Sequence, residues 1–322
     1  MTEISKDKVG GTSRPKIALI GAGNIGGELA ALIAQRQLGD VVLFDVLEKE
    51  GLAKGKALDL MQNGALLGHD CQITGTSQWE DCRGAKVVVV TAGVPRKPGM
   101  SRDDLLAVNL KIIRGVASNI KEYCPTAFVI IVSNPLDAMV FEAARVTGFP
   151  KSHVVGMAGV LDSARFQLFL AQEIGVSVKD IRAMVLGGHG DTMVPVTSYC
   201  TVNGVPLTTL ISEERMDALV QRTAGGGGEI VKLMGTSAYY APATAAFSMV
   251  ESFLLDQKRL LPCAAYLTGQ YGIQDLYIGV PVVIGRSGVE QIIEVPLNLQ
   301  EQALLHKSEA AVREVVEASL RV

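Results

Sequence analysis

The sequence predicts an α/β protein in which a doubly wound parallel sheet is followed by a mixed α+β domain. From Lys16 to about Pro150, short apolar strands alternate with helical stretches, which is typical of a parallel sheet with helices on both faces. Beyond residue 150, tight-turn signals indicate antiparallel hairpins instead. Because 322 residues exceed what one core usually supports, two domains are expected.

The first domain is expected to span residues 16–150 and to contain four clear strands. They are Lys16–Ile20, Val41–Asp45, Lys86–Thr91 and Ala127–Val132. Apolar residues at three- and four-residue steps predict a helix before the last strand: Leu106, Leu110, Ile113, Ala117 and Ile120. Ser101, with Asp104 three residues later, resembles a capping box at the start of this helix.

The second domain is expected to span residues 151–322. Strands are predicted over His153–Gly156 and Arg182–Gly187, with a helix over Leu161–Ile174 between them. Asn203-Gly204 and Arg286–Gly288 each predict a hairpin, and an amphipathic helix over Leu299–Leu320 closes the chain. The run Gly225–Gly228 predicts a flexible break in a helix.

Composition narrows the class of protein. A net charge of −3 gives no basic footprint for nucleic acid, and no apolar run approaches the roughly 20 residues of a membrane span. Residues 1–15 are polar, lack the features of a signal or transit peptide, and are predicted to be a disordered tail. Five scattered cysteines without CxxC spacing indicate reduced thiols rather than disulfides or a metal site, so we expect a cytoplasmic protein.

A glycine-rich turn directly after the first strand predicts a dinucleotide site of the Rossmann type. Gly21 allows the tight turn, Gly23 allows a close approach to a pyrophosphate, and Gly26 allows close packing of helix on strand. Asn24 and Ile25 open the helix, whose N-terminus favours phosphates. Asp45, nineteen residues past Gly26, suits the ribose hydroxyls and disfavours a 2′-phosphate, which predicts NAD over NADP. The alternative is a solvated residue at a strand end.

His189, Asp162 and Arg165 form a candidate catalytic set. His189 lies between Gly188 and Gly190, so little side-chain bulk would hinder a small substrate at its ring. Asp162 and Arg165, three residues apart, share one face of the predicted helix. A proton donor, an orienting carboxylate and a guanidinium suit the reduction of a 2-keto acid. The alternatives are a turn histidine and a surface ion pair.

Several motifs in order resemble the lactate/malate dehydrogenase family. They are Val-Ser-Asn-Pro at 132–135, Leu-Asp-Ser-Ala-Arg-Phe at 161–166 and Gly-Gly-His-Gly-Asp at 187–191. Residues 55–60 (GKALDL) and 237–242 (SAYYAP) are similar to its lactate-dehydrogenase-like malate dehydrogenase branch. The resemblance runs from Lys16 to the C-terminus and implies homodimers or homotetramers.

The resemblance also implies a role for each site residue. His189 would exchange a proton with the substrate, Asp162 would orient its ring, and Arg165 would grip the substrate carboxylate. Arg102 would polarise the substrate carbonyl, and Asn134 would bind the substrate or the nicotinamide ribose. The expected cofactor contacts also include residues at the ends of later strands: Thr91, Ala92, Gly93, Asn109 and Val132.

Residues 93–102 resemble a lid that closes over an anion, and Arg96 occupies the family's discriminating position. A cation there would pair with the second carboxylate of malate or oxaloacetate. Closing it over the methyl group of pyruvate would leave a desolvated, unpaired charge, which costs several kcal/mol. The expected reaction is therefore reversible hydride transfer between malate and NAD. The alternatives are a dehydrogenase that acts on lactate or another 2-hydroxy acid, and a non-catalytic protein that senses NAD(H).

Overall fold

The computed structural model describes residues 14–94 and 102–322, without the side chain of Arg102. Within them, the first half forms six parallel strands in the order β3-β2-β1-β4-β5-β6, as in a doubly wound fold. The strands are β1 (Lys16–Ile20), β2 (Asp40–Phe44), β3 (Ile73–Thr76), β4 (Val87–Val90), β5 (Phe128–Ile131) and β6 (Val154–Gly156). The predicted fold class is confirmed.

Helices cover both faces of this sheet. Alternate strand residues turn to opposite faces, so Ile17 and Leu19 pack with one pair of helices, and Ala18 and Ile20 with another. The first pair is α1 (Asn24–Gln35) and α2 (Glu50–Leu67), and the second is α3 (Arg102–Tyr123) and α4 (Leu136–Thr147). All five apolar residues that predict α3 are buried in the second core.

The second half extends the same sheet with antiparallel strands. Its elements are α5 (Gly159–Ile174), β7 (Ile181–Arg182), β8 (Val185–Leu186), β9 (Val194–Pro195), β10 (Thr201–Val202), β11 (Val205–Pro206), α6 (Glu213–Met234), α7 (Tyr240–Leu254), β12 (Arg259–Thr268), β13 (Gln274–Gly285), β14 (Gly288–Ile292) and α8 (Leu299–Arg321). β12 pairs with β6 and is followed across the sheet by β13 and β14. Both predicted hairpins are present, as β10–β11 and β13–β14.

The prediction of a flexible break at Gly225–Gly228 is wrong. α6 continues through all four glycines. Gly226 and Gly227 lie against the side chain of Arg165 on α5, where side chains on α6 would crowd it. Gly226 and Gly227 therefore serve close packing between helices, although the low helix propensity of glycine favours a break.

A buried carboxylate joins α3, α4 and α8. Glu142 accepts hydrogen bonds from Arg114 at 2.5 Å and from Arg145 at 2.7 and 2.8 Å, and Arg114 also donates to the carbonyl of Ser319. Burial alone would raise the pKa of Glu142, but the hydrogen bonds and charges of the two arginines outweigh it and lower the pKa. This ion cluster holds α3 against α4 and links α3 to the end of α8.

Three predictions fall wholly or partly outside the described residues. They concern the tail up to residue 13, the capping residue Ser101 and the lid with Arg96. All five cysteines are described, and each is free and buried. None of the helices in the described ranges combines the length and the apolarity that a membrane crossing requires.

Candidate active site

The loop that carries His189 is held rigidly between β8 and β9. Gly187 exchanges two backbone hydrogen bonds with Gly279 of β13, at 2.8 and 3.0 Å, and its φ of +83° favours glycine. A Cβ on Gly188 would lie 2.5 Å from a methyl carbon of Val312, so only glycine lets α8 approach this closely. The Gly188 N–H donates to Ser308 Oγ on α8 at 2.8 Å. These backbone contacts therefore fix the position from which the His189 side chain extends.

Asp162 in the first turn of α5 joins His189 to Arg165. His189 Nδ1 lies 2.8 Å from Asp162 Oδ2, and Arg165 donates to Asp162 Oδ1 at 3.3 Å. Asp162 is almost fully buried, with 2% of its side chain exposed, whereas His189 is 16% exposed. The structure thus brings together the three residues that the sequence singles out. Since Asp162 holds Nδ1, the ring nitrogen on the far side, Nε2, is the one suited to a substrate.

The surroundings of His189 favour its protonated form. Burial by itself lowers the pKa of the imidazole, but the charge and hydrogen bond of Asp162 and the charge of Asp137 outweigh it. The net result is a raised pKa, although Arg165 opposes the rise. A raised pKa favours the protonated imidazole, which suits a proton donor.

Arg165 is packed against the glycines of α6. A Cβ on Gly226 would lie 3.3 Å from Arg165 Cδ, and one on Gly227 would lie 3.7 and 3.8 Å from the two terminal nitrogens. Its Nε is buried without a hydrogen-bond partner among the described residues. The guanidinium therefore keeps donors for a carboxylate, which it can bind through two parallel hydrogen bonds.

His189 and Arg165 line a cavity of about 320 Å³ between the two halves of the chain. Ile25, Val132 and Asn134 come from the first half, and the rest of the wall is Met157, Leu161, Gly190, Asp191, Met193, Ala224, Gly227, Gly228, Val231, Ser237, Ala238 and Pro242. Cavities of about 400 and 610 Å³ lie elsewhere, and no described arginine lines either of them. The cavity at His189 therefore combines an imidazole and a guanidinium, the groups that a keto acid would require.

The glycine-rich turn has the form that a dinucleotide requires. Gly21 has a φ of +119°, and a Cβ on Gly26 would lie 2.0 Å from the Gly21 carbonyl oxygen. Gly23, at the start of α1, has no described atom within 4 Å of where a Cβ would be. This leaves open space in front of a helix N-terminus that no side chain caps. The residues present therefore fit a pyrophosphate.

Asp45 lies at the end of β2, beside this turn. Its Oδ2 accepts a hydrogen bond from the Ala22 N–H at 2.8 Å, and its Oδ1 accepts one from the Val46 N–H at 2.9 Å. Each carboxylate oxygen keeps a lone pair for a further donor. Asp45 is thus oriented by the turn itself and is placed as a ribose acceptor would be.

The other predicted cofactor residues gather at the carboxyl ends of β4 and β5. Thr91 donates to the Gly21 carbonyl at 3.2 Å. The buried Asn109 side chain accepts from the Val94 N–H and donates to the carbonyls of Val94 and Asn134, the latter at 2.7 Å. Both amide protons of Asn109 are thus used on backbone, so its side chain holds two site loops together. Ala92, Gly93 and Val132 lie in these same segments.

Sequence reasoning missed two residues beside the site. Asp137, in the first turn of α4, accepts a hydrogen bond from the His189 N–H at 3.1 Å. Lys56 of α2 donates to the Gly23 carbonyl at 2.7 Å. Asp137 and His189 are 52 positions apart, and neither residue type nor spacing signals the contact. Arg96 and the side chain of Arg102 lie outside the described residues, and no group of described residues suits a metal ion.

Comparison with known proteins agrees with this geometry. Residues 15–156 match the family model for the lactate/malate dehydrogenase NAD binding domain. Residues 159–321 match the model for the lactate/malate dehydrogenase alpha/beta C-terminal domain. The chain belongs to the lactate/malate dehydrogenase family. Together the two models cover nearly all of the described residues.

Relatives and solved structures include proteins of both named activities. The chain is 66% identical to a malate dehydrogenase of Sorangium cellulosum over 310 residues, which cover 95% of the chain and 99% of that protein. The structure of Cryptosporidium parvum malate dehydrogenase is 46% identical, with a TM-score of 0.93 over 96% of this chain and 100% of that one. The lactate dehydrogenase of the same organism, solved with lactic acid and NAD, is 43% identical, with a TM-score of 0.93 over 97% and 100%. Fold similarity alone therefore does not separate the two substrates.

Proposed function

We propose that this chain is an NAD-dependent malate dehydrogenase that interconverts (S)-malate and oxaloacetate. The observation that carries the proposal is the cavity in which His189, buttressed by Asp162, faces the same space as Arg165. Ile25 and Val132 of the nucleotide-binding half line that space, so a substrate there would lie against the cofactor site. The identity of 66% to a malate dehydrogenase supports the same activity.

The proton and the carboxylate are handled by the chain's own residues. In the reduction of oxaloacetate, His189 donates a proton from Nε2 to the carbonyl oxygen, and in the reverse direction it accepts one from the malate hydroxyl. Asp162 holds the ring through Nδ1 and stabilises the imidazolium. Arg165 binds the carboxylate next to the reacting carbon, and Asn134 binds the substrate or the cofactor ribose.

The dinucleotide would be held at the edge formed by β1, β2, β4 and β5. The turn from Gly21 to Gly26 and the start of α1 would bind its pyrophosphate, and Asp45 its adenosine ribose. Thr91, Ala92 and Gly93, which directly follow β4, would contact the cofactor at the same edge. When bound, NAD(H) supplies or accepts the hydride. An anionic Asp45 disfavours NADP because it would repel the 2′-phosphate.

The preference for malate over lactate rests on Arg96, with Arg102 polarising the carbonyl. A cation closed over the substrate pairs with a second carboxylate, whereas over pyruvate it would be desolvated without a partner. A discrimination of roughly 4 kcal/mol corresponds to about a thousandfold difference in rate constant. Lactate dehydrogenase activity is the second candidate, because a lactate dehydrogenase structure matches with the same TM-score as a malate dehydrogenase.

We further propose a cytoplasmic homodimer or homotetramer that serves the tricarboxylic acid cycle, with domains that meet near residue 150. Five free, buried thiols favour a reducing compartment. Exposed apolar side chains on α2 favour a contact between copies: Leu52, Leu58, Met61, Leu66 and Leu67. The net charge of −3 argues against a nucleic-acid partner.

The test compares the wild-type chain with His189→Asn. The wild-type chain should oxidise NADH with oxaloacetate, and the variant should bind NADH equally well, by fluorescence titration, but turn over at least about a thousandfold more slowly. The control is His306→Asn, which changes an exposed histidine on α8 and should leave the rate unchanged. NADH binding without turnover by the wild-type chain would favour a sensor instead. A near-wild-type rate in His189→Asn would remove this residue as the proton carrier.

A further inference from the structure

We propose that Asp137 is a positioning residue for the reaction, which anchors the backbone of His189 and uses its negative charge to stabilise the imidazolium. His189 would then lie between two carboxylates, Asp162 at its ring and Asp137 at its backbone. The inference rests on the proposed function, because it takes His189 as the residue that carries the proton.

The loop that carries His189 is anchored through its backbone at two consecutive residues. Asp137 Oδ2 accepts the His189 N–H at 3.1 Å, and Ser308 Oγ accepts the N–H of the preceding Gly188 at 2.8 Å. Two consecutive N–H groups are therefore held by two different helices, α4 and α8. The first acceptor is ionisable and the second is neutral.

A buried carboxylate is an energetically unfavourable acceptor for this hydrogen bond. Asp137 is 8% exposed, and its Oδ1 is buried without a hydrogen-bond partner in the described part of the chain. A buried, unsatisfied polar atom costs about 1–3 kcal/mol, and more if it is charged. A neutral acceptor would fix the N–H equally well, as Ser308 does for Gly188. The charge therefore needs an explanation beyond the hydrogen bond.

Asp137 interacts with charged groups of the catalytic set. His189 and Asp162 act on it electrostatically, and its Oδ2 lies beside Gly188, which packs against Ser308 and Val312 of α8. On the histidine side, Asp162 and Asp137 favour the protonated ring, and Arg165 opposes it. The imidazolium is thus the cation that the Asp137 charge faces.

The charges of Asp137 and His189 couple the protonation of the two groups. Burial raises the pKa of Asp137 to about 7, against the lowering effect of the His189 charge and N–H. The pKa of His189 is raised, and because each group acts on the charge of the other, the two share protons as a coupled pair. In the reduction of oxaloacetate, an ionised Asp137 stabilises the protonated form of His189, which donates its proton to the substrate.

The direct test is the titration of the His189 ring, followed by NMR in the protein without substrate. The chain has four histidines, so the signal can be assigned by comparison with His189→Asn. Asp137→Asn keeps an oxygen acceptor and removes the charge, and we expect it to lower the midpoint by about one pH unit. Ser308→Ala removes the neutral acceptor and should leave the midpoint unchanged. An unchanged or higher midpoint in Asp137→Asn would overturn the proposal.

A kinetic readout distinguishes charge from structure. In Asp137→Asn the alkaline limit of oxaloacetate reduction should move to lower pH, with about a tenfold loss of kcat/KM near pH 8 and little loss near pH 6. The Kd for NADH should not change. An equal loss at every pH would indicate a structural role only, against the proposal.

Two further outcomes keep the test decisive. If Asp137→Asn fails to fold, the wild-type titration still decides, because a coupled pair departs from a single-proton curve and an uncoupled histidine does not. If the chain turns over no 2-keto acid, the proposed function fails, while the NMR midpoints still test the contact between Asp137 and His189.

Discussion

Replacing Gly226 by Ala tests whether the glycines of α6 are present to accommodate Arg165. The new Cβ would lie 3.3 Å from Arg165 Cδ, inside the roughly 3.5–4.0 Å at which two carbon atoms pack best. The arginine must therefore move by a few tenths of an ångström. Gly225 is the matched control, since within the described residues no atom lies within 4 Å of its Cβ position.

Two effects oppose each other in Gly226→Ala. Alanine gains about 1 kcal/mol over glycine in a helix interior, so Gly225→Ala should raise the free energy of unfolding by that amount. Gly226→Ala should gain less, because part of that gain is lost in displacing the largely buried side chain of Arg165. A misplacement of 1 Å can cost about a hundredfold in activity. Because Arg165 would bind the substrate carboxylate, a shift of its side chain by a few tenths of an ångström should raise KM for oxaloacetate, roughly threefold to tenfold.

The assay combines urea unfolding with steady-state NADH oxidation. Gly225→Ala should be stabilised with unchanged kinetics, and Gly226→Ala should show the higher KM with the smaller gain in stability. If Gly226→Ala shows the full gain and a wild-type KM, the steric explanation of these glycines is refuted.

Three further predictions concern Arg96, the glycine-rich turn and the buried carboxylate of Glu142. Arg96→Gln should lower the rate with oxaloacetate by about a hundredfold or more and retain activity with pyruvate, and unchanged oxaloacetate kinetics would contradict its role. Gly23→Ala should weaken NADH binding at least about tenfold without altering the melting temperature, whereas Gly26→Ala should destabilise the fold, because its Cβ meets backbone 2.0 Å away. Glu142→Gln should lower the free energy of unfolding by about 3 kcal/mol at neutral pH, whereas Glu229→Gln in an exposed ion pair should change little. Because the folded-state pKa of Glu142 is lowered, its ionised form contributes fully above its ordinary value of 4.5. That contribution is lost as pH falls through the folded pKa, so a Glu142→Gln deficit that persists in acid would contradict the argument.

The sequence was most informative where chemistry and local geometry coincide. Asp162 and Arg165 share a helix face because they are three residues apart, and the structure adds His189 at 2.8 Å from Asp162. Asp45 reaches the glycine-rich turn because neighbouring parallel strands end at one edge. These contacts follow from the spacing of residues along a helix, the order of the parallel strands and the residue types. All three can be inferred from a single sequence.

The failures share a physical cause, which is packing between distant segments. β3 was not predicted, because it has four residues and contains Gly75, where a Cβ would lie 2.3 Å from the backbone of Ala53. The glycines of α6 pack against an arginine some sixty residues earlier, and local propensity indicated a break instead. Asp137 accepts a hydrogen bond from the backbone N–H of His189. Because every residue except proline has this group, the residue types do not reveal the contact. No pattern within a single element encodes these contacts.

The most direct test of the central claim is the ratio of kcat/KM for oxaloacetate to kcat/KM for pyruvate, measured with NADH and the wild-type chain. We expect a ratio of about a thousand, from roughly 4 kcal/mol of discrimination by a cation over the substrate. A ratio below one would contradict the assignment of malate and favour lactate dehydrogenase activity on the same proton relay.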